Sequence, residues 1–226
     1  MKRSVSVLFM LTGILFAICL LISNVLATKI ILIGSWAAPA GVLIFPLAYI
    51  INDVIVEVWG YRKARLIIWS GFAVNILAVT FFTIANVMPA APFWHNQEAF
   101  NVILGSTPRI ITASLIAYLT GSFLNAIVMS KVKVLMNGKN FSVRAILSTL
   151  VGEAADSTIF IFVAFAGNLP LGVLIGMVFT QACLKTVYEI MILPLTVVVV
   201  KWVKKVEGSD TYDRAVSYNP FLINQV

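Results

Sequence analysis

The sequence has little charge and almost no residues for metal or covalent chemistry. Only 11% of its 226 residues are Asp, Glu, Lys or Arg, and it contains one histidine and two cysteines. The zinc-protease motif His-Glu-x-x-His is absent, and so is a Walker A phosphate-binding loop. Both cysteines fall in apolar stretches, which indicates neither a disulfide nor a metal pair. We therefore predict no cofactor and no metal, and an intramembrane enzyme is the least favoured alternative.

Hydrophobic residues are abundant instead, at 61% of the chain, with a mean hydropathy of +1.01. Six stretches are long enough to cross a hydrocarbon core of about 30 Å. The last is long for a single span, so we expect it to tilt or to leave the membrane before its end. We predict an all-α membrane protein with a six-helix transmembrane domain over residues 1–206 and a weakly ordered polar tail over 207–226. The predicted spans are 5–26, 41–59, 66–87, 109–129, 143–166 and 171–200.

The basic residues that give the chain its net charge of +7 lie mainly at the N-terminus, in alternate loops and after the last span. Basic residues precede the first span, fill the second and fourth loops and follow the sixth span. This is the positive-inside pattern of a multi-pass protein with both termini in the cytoplasm. The cations thus indicate topology and contact with the lipid bilayer, and we predict no nucleic-acid partner. They are Lys2, Arg3, Arg62, Lys63, Arg65, Lys131, Lys133, Lys139, Arg144, Lys201, Lys204 and Lys205.

Seven ionisable residues nevertheless lie inside the apolar spans. A charge in mid-bilayer costs at least roughly 2.5–3.5 kcal/mol, so such residues usually face a polar interior and mark a pathway or binding site. Glu57 lies near the cytoplasmic end of its span, where we expect an ion pair with Arg62 or Arg65. Arg109 lies at the outer start of its span, where its side chain either extends to the outer headgroups or has a functional role. The seven are Asp53, Glu57, Arg109, Glu153, Asp156, Lys185 and Glu189.

The polar residues recur at three- and four-residue steps, which places them on one face of each helix. Asp53, Glu153, Asp156 and Lys185 also fall at similar depths, about 15–21 Å from the outer ends of their spans. We therefore expect one shared polar interior. The candidate substrate-binding residues are Tyr49, Asp53, Arg109, Tyr118, Asn125, Glu153, Asp156, Gln181, Lys185 and Glu189.

Within the bilayer, five acidic residues face only two basic ones. A salt bridge between Glu153 and Lys185 is a serious alternative to substrate contact, which leaves Asp53 and Asp156 as the carboxylates without an internal partner. A surplus carboxylate at this depth must be protonated, hydrated or paired with a ligand. The residues alone thus predict a transporter of an ion or a small, donor-rich solute.

Several ordered motifs sharpen this prediction. They are Pro46-x-x-Tyr49-x-x-x-Asp53-x-x-x-Glu57-x-x-Gly60, Arg109-Ile-Ile-Thr-Ala-Ser114-x-x-Ala-Tyr118, Ser148-Thr-Leu-x-Gly152-x-x-x-Asp156, Lys185-x-x-Tyr188-Glu189-x-x-x-x-Pro194, and the tail Glu207-Gly-x-Asp210-x-Tyr212-Asp213 closing on Asn219-Pro-Phe. Together they resemble the queuosine precursor transporter family, also called the vitamin uptake transporter family.

The resemblance implies a six-helix inner-membrane importer of 7-cyano- and 7-aminomethyl-7-deazaguanine, with a fold similar to the substrate-binding subunits of energy-coupling-factor vitamin transporters. It implies that Asp156 and Asp53 bind edges of the ligand and that Arg109 lies near the entrance. Lys185 and Glu189 are implied to support the site or to couple transport to a gradient. Some relatives carry Asn at the position of Glu153 or lack the acid at Glu189, so neither is implied to be essential. A binding subunit for another vitamin or nucleobase that needs a separate ATPase stays the alternative, and a homo-oligomer is left open.

Overall fold

The computed structural model describes residues 6–33, 36–105 and 108–222. Each of the six predicted spans contains an α-helix, which confirms the fold class. Lys2 and Arg3 of the predicted charge pattern lie outside the described residues. The elements in chain order are α1 (Val7–Leu26), β1 (Ile30–Ile33), β2 (Trp36–Pro39), a 3-10 helix (Ala40–Leu43), α2 (Phe45–Trp59), α3 (Tyr61–Val87), α4 (Gln97–Leu104), α5 (Pro108–Leu135), α6 (Phe141–Phe165) and α7 (Leu171–Glu207).

Helix α2 is the central element of the bundle. Helices α1, α3, α5, α6 and α7 are long and apolar enough to cross a membrane. At 15 residues, α2 is only about 22 Å long. It contacts α1, α3, α5 and α7, and nearly all of its side chains are buried. Because protein surrounds α2, its polar residues are shielded from lipid.

The start of α2 differs from the predicted span. A 3-10 helix occupies Ala40–Leu43, and the α-helix begins only at Phe45. Pro46 stands in the first turn of α2, where its missing N–H leaves no hydrogen bond unmade. The proline therefore sets the beginning of the helix without breaking it.

The bundle has two distinct ends. One carries the antiparallel hairpin β1–β2, with Ile30 opposite Pro39 and Ile33 opposite Trp36, together with the short helix α4. We call this the hairpin end. The other, the basic end, holds the α2–α3 junction, the α5–α6 loop and the end of α7, where the loop cations collect. Helices α2, α5 and α7 run from the hairpin end to the basic end, and α6 runs the opposite way.

Two facing glycines set the close approach of α5 and α6. A Cβ added to Gly121 would lie 3.0 Å from the carbonyl oxygen of Gly152, and a Cβ added to Gly152 would lie 2.9 Å from that of Gly121. Small residues of this kind let helix backbones pack tightly. The seam that they create also receives a side chain from α2, as described below.

The chain after α7 folds back over the basic end. The Nη1 of Arg65 donates to the carbonyl of Asn219 at 2.8 Å, and the indole N–H of Trp69 donates to that of Pro220 at 2.8 Å. The prediction of a weakly ordered tail is therefore wrong for residues 208–222. Composition alone did not reveal that buried donors on α3 would find their acceptors in this segment.

Candidate functional site

The polar faces of α2, α5, α6 and α7 meet in a column with three layers. Tyr49, Asp53 and Glu57 are spaced by four residues on α2, so successive layers lie about 6 Å apart along its axis. We call them the hairpin-side layer, the middle layer and the basic layer. Each layer has a different balance of hydrogen-bond donors and acceptors.

An ion cluster forms the hairpin-side layer. The ammonium of Lys185 on α7 lies 2.7 Å from Oε2 of Glu153 and 2.8 Å from Oδ2 of Asp156, both on α6. It also lies 4.1 Å from the centre of the Phe45 ring, within cation–π distance. The two carboxylates are buried, and their spacing of three residues places them on one helix face.

This geometry bears on two expectations about internal ion pairs. The salt bridge between Glu153 and Lys185 forms. The expectation that Asp156 has no internal partner is wrong, because the same lysine contacts both carboxylates; an ammonium group has three donors to share. The layer still holds two carboxylates against one cation.

Tyr49 is inserted in the seam between α5 and α6. A Cβ on Gly121 would lie 2.5 Å from the Tyr49 hydroxyl oxygen, and a Cβ on Gly152 would lie 3.1 Å from its ring. The ring lies 5.5 Å from that of Phe45, so two aromatic faces adjoin the ion cluster. Within the described part of the chain, the buried Tyr49 hydroxyl has no hydrogen-bond partner.

Amides and carboxyl groups fill the middle layer. Asn52 donates to Asn125 at 2.7 Å, and Ser148 donates to Oδ1 of Asp53 at 3.4 Å. The carboxyl groups of Asp53 and Glu189 face each other across α2 and α7. No lysine or arginine among the described residues forms a salt bridge with either group. Asp53 Oδ2 and Glu189 Oε2 also accept no hydrogen bond from an amide or hydroxyl group of the described residues. The layer is therefore short of donors.

The basic layer is the reverse, with one carboxylate among three cations. Arg144 on α6 donates to both carboxylate oxygens of Glu57, one of these bonds measuring 3.1 Å. Lys204 on α7 lies 2.6 Å from Oε1 of Glu57. Lys133 on α5 lies 3.6 Å from the same atom and donates to the backbone carbonyl of Glu57 at 2.6 Å. The three cations thus come from three different helices, α5, α6 and α7.

The partners expected for Glu57 were wrong. Arg62 is exposed, and Arg65 donates to carbonyls of the tail. The side chain of Glu57 points into the bundle, so arginines that are close to it in sequence do not reach it. The cations that do reach it come from helices that are distant in sequence. Lys133, Arg144 and Lys204 appeared in the sequence only as topology signals.

Two candidate binding residues are engaged elsewhere. The hydroxyl of Tyr118 donates to the carbonyl of Ile68 on α3 at 2.8 Å. Arg109 donates to the carbonyls of Val163 and Ala166 at 2.6 and 2.5 Å, which satisfies free acceptors at the end of α6. A substrate role for either residue stays a prediction.

The other candidates divide between two layers. Tyr49, Glu153, Asp156 and Lys185 form the hairpin-side layer, and Gln181 lies one turn before Lys185 on the same face of α7. Asp53, Asn125 and Glu189 belong to the middle layer, so the shared depth predicted for Asp53 and Asp156 does not bring them into contact. Sequence reasoning missed Phe45 and Gly121, and small residues at facing helix positions were the available signal for the latter.

Comparisons with known proteins agree on one family. A family model described as "Putative vitamin uptake transporter" matches residues 39–199, which contain every candidate residue above. The chain is 26% identical over 190 residues to the "Probable queuosine precursor transporter" of Bacillus subtilis (strain 168), covering 83% of this chain and 82% of that protein. It is 30% identical over 128 residues to the "Queuosine precursor transporter" of Escherichia coli (strain K12), covering 55% of this chain and 54% of that one. No solved structure matches the chain significantly.

Proposed function

The chain belongs to the vitamin uptake transporter family, and from that premise we propose that it imports queuosine precursors. The substrates we assign are 7-cyano-7-deazaguanine and 7-aminomethyl-7-deazaguanine, taken up for salvage of the tRNA base queuosine. The chain is thus a transporter and not an enzyme. A relationship of its fold to the substrate-binding subunits of energy-coupling-factor transporters stays a prediction.

The proposed orientation follows from charge. Cations collect at the basic end of the bundle, and positively charged loops are retained in the cytoplasm. We therefore assign the basic end and both termini to the cytoplasm of a cell whose inner membrane the chain crosses. The hairpin end then faces outward, and substrate enters from that side.

The observation that carries the proposal is the shortage of hydrogen-bond donors in the buried middle layer, next to a hairpin-side layer with two carboxylates for one cation. Asp53 Oδ2, Glu189 Oε2 and Asn52 Oδ1 are buried acceptors that receive no hydrogen bond from an amide, hydroxyl or cationic group of the described residues. A buried acceptor left unsatisfied costs about 1–3 kcal/mol, so these layers favour a ligand that brings N–H groups. A deazaguanine edge offers adjacent N–H donors to a carboxylate, and its flat ring fits the aromatic faces of Phe45 and Tyr49.

The aminomethyl precursor has one further contact. Its ammonium competes with that of Lys185 for the carboxylates of Glu153 and Asp156. The ligand amine and the lysine are both primary amines, and the two acids already bind the lysine. The cyano precursor carries no such charge. Lys185 thereby sets the relative affinity for the two substrates.

Uptake by the purified chain tests the assignment. We would reconstitute the chain alone in proteoliposomes and measure uptake and binding of each labelled precursor, with and without a proton gradient. Asp156→Asn should weaken binding by roughly tenfold to hundredfold, and Glu98→Gln should not, since it removes an exposed carboxylate from α4. Uptake without ATP excludes a subunit that depends on a separate ATPase. Binding without uptake favours such a subunit, and binding of neither deazaguanine overturns the substrate assignment.

A further inference from the structure

The basic layer ties together three helices at one buried carboxylate. The side chain of Glu57 is 1% exposed, although it lies within one turn of the end of α2. Lys133, Arg144 and Lys204 reach it from α5, α6 and α7. A solute leaving the column at the basic end would have to pass this cluster. The helices that would need to separate are those that Glu57 holds.

Residues 208–222, which we call the tail segment, lie directly over the cluster. Asp210 accepts hydrogen bonds from Lys133 and Lys204, the latter at 2.8 Å. The carbonyl of Thr211 accepts from Lys133 at 2.9 Å, and the amide of Thr211 donates to the carbonyl of Val58 at 3.2 Å. The same two lysines therefore bind the central carboxylate and the segment that covers it.

A second anchor joins the tail segment to α3. Oδ2 of Asp213 accepts from the backbone N–H of Tyr61 at 2.8 Å and from the hydroxyl of Ser130 at 2.6 Å. Helix α3 begins after Gly60, which has no side chain to cap it, so Asp213 supplies the missing N-terminal acceptor. Gly60 has φ +83, and a Cβ there would lie 2.8 Å from Thr211 and 2.9 Å from Asp213. The chain at Gly60 thus leaves room for the tail segment.

The exposed fraction of the charged side chains varies along the column. The side chains of Lys185 and Asp156 are 14% and 10% exposed, whereas Asp53 and Glu57 are almost completely buried. Transporters expose a central site to one side of the membrane at a time. The carboxylates of Asp53 and Glu57 are thus shielded from solvent, and the tail segment covers the Glu57 cluster, in which the Lys204 side chain is 24% exposed.

The contacts that hold residues 210–213 are of a kind that water can replace. Asp210, Thr211 and Asp213 hold the tail segment by hydrogen bonds and ion pairs with partners at the ends of the helices. When such groups separate into water they are rehydrated, so each hydrogen bond contributes little net free energy, unlike buried apolar surface. Residues 210–213 are therefore able to leave their partners while Val216 and Tyr218 of the same segment stay packed against the bundle.

We propose that the Glu57 cluster and the tail segment form the gate of the transport path at the basic end, which opens when Asp210 and Asp213 release their partners. The tail segment lies outside residues 39–199 that the family model matches. The proposal requires the chain to be a transporter, but it does not depend on the substrate being a deazaguanine.

Cysteine accessibility tests the gate without any substrate. In the full chain with Cys19→Ala and Cys183→Ala, Ser148→Cys would report from beside Asp53, and labelling by a membrane-impermeant maleimide would be timed in vesicles. A separate Ala215→Cys chain identifies the basic side, since Ala215 is exposed in the tail segment. Asp210→Asn combined with Asp213→Asn should raise labelling from that side by about tenfold, because charge-assisted hydrogen bonds are lost.

The matched control is Arg214→Gln, which changes an exposed charge in the same segment and should leave the labelling rate unchanged. An unchanged rate in the double variant, with helical content retained, would overturn the gate. If the double variant does not fold, Asp210→Asn alone replaces it, since that carboxylate is 43% exposed and outside the helices. A chain that gains labelling but binds no deazaguanine keeps the gate and loses only the proposed substrate.

Discussion

The two charged layers at opposite ends of the column use the same chemistry in opposite proportions. In the hairpin-side layer two carboxylates share the single ammonium of Lys185, whereas in the basic layer three cations surround Glu57. The excess cations of the basic layer find further acceptors in Asp210 and in backbone carbonyls. The hairpin-side layer and the neighbouring middle layer have no comparable supply of donors. Burial of charge is common to both ends, and only the incomplete hydrogen bonding at one of them indicates a ligand.

The strongest test of this difference between the layers is to remove the central acid of the basic layer. Glu57→Gln would leave Lys133, Arg144 and Lys204 clustered with no carboxylate among them except the half-exposed Asp210. Breaking a buried ion pair by removing one partner typically costs about 3–5 kcal/mol, so we expect a large fall in thermal stability. Circular dichroism of the detergent-solubilised protein measures it. Glu98→Gln, the same change at an exposed site, should leave the melting temperature unaltered. An equal effect of the two changes would contradict a structural role for the basic layer.

The corresponding change in the hairpin-side layer should affect binding and spare stability. Asp156→Asn removes one of two carboxylates, so Lys185 keeps Glu153 as its partner. We expect deazaguanine binding to weaken by roughly tenfold to hundredfold, the value of a hydrogen bond to a charged group, with the melting temperature nearly unchanged. Isothermal titration measures the affinity, with Glu153→Gln as the paired variant. If only Asp156→Asn loses binding, Glu153 belongs with Lys185 as structure. If Asp156→Asn lowered the stability as much as Glu57→Gln, the two layers would not differ in their structural role.

Lys185 offers a smaller and more selective test. Lys185→Gln frees Glu153 and Asp156 from their internal cation, so an incoming ammonium no longer has to displace one. We expect the affinity for the aminomethyl precursor to rise relative to the cyano precursor by about tenfold, an electrostatic preference of roughly 1.4 kcal/mol. Parallel titrations with both compounds measure the ratio. Equal changes for the two precursors would show that Lys185 does not discriminate by charge.

Helical spacing was sufficient to find much of the candidate site. Steps of four residues placed Tyr49, Asp53 and Glu57 on one face of α2, and similar depths predicted the salt bridge of Glu153 with Lys185 but not the contact of that lysine with Asp156. The spacing of residues in the sequence gives the height of each residue along its helix and the helix face on which it lies. It therefore found the shared polar interior without deciding which residues of different helices touch.

What the sequence could not provide was contact between distant segments. Glu57 was assigned to nearby arginines, yet its partners come from α5, α6 and α7, which depends on how the helices pack. The tail was expected to be weakly ordered because its composition is polar. Its order comes from acceptors that match donors on Tyr61, Arg65 and Trp69, and no local pattern in 208–222 records those donors.

The smallest expected effect concerns pH and the tail segment, and it separates the gate from the core of the basic layer. Burial alone would raise the pKa of Asp210, but the hydrogen bonds from Lys133 and Lys204 outweigh burial and hold that pKa below its usual value. A carboxyl whose pKa is depressed by folding stabilises the folded state above its unfolded pKa of about 3.9, and loses that contribution as the pH falls through the folded pKa. Because Asp210 is 43% exposed, we expect at most about 1 kcal/mol. The difference in melting temperature between the unmodified chain and Asp210→Asn should thus be small and constant from pH 5 to 8 and shrink below about pH 4. A difference that grows on acidification would mean that Asp210 is not held in its ionised form by the two lysines, and the anchor proposed for the gate would have to lie at Asp213 alone.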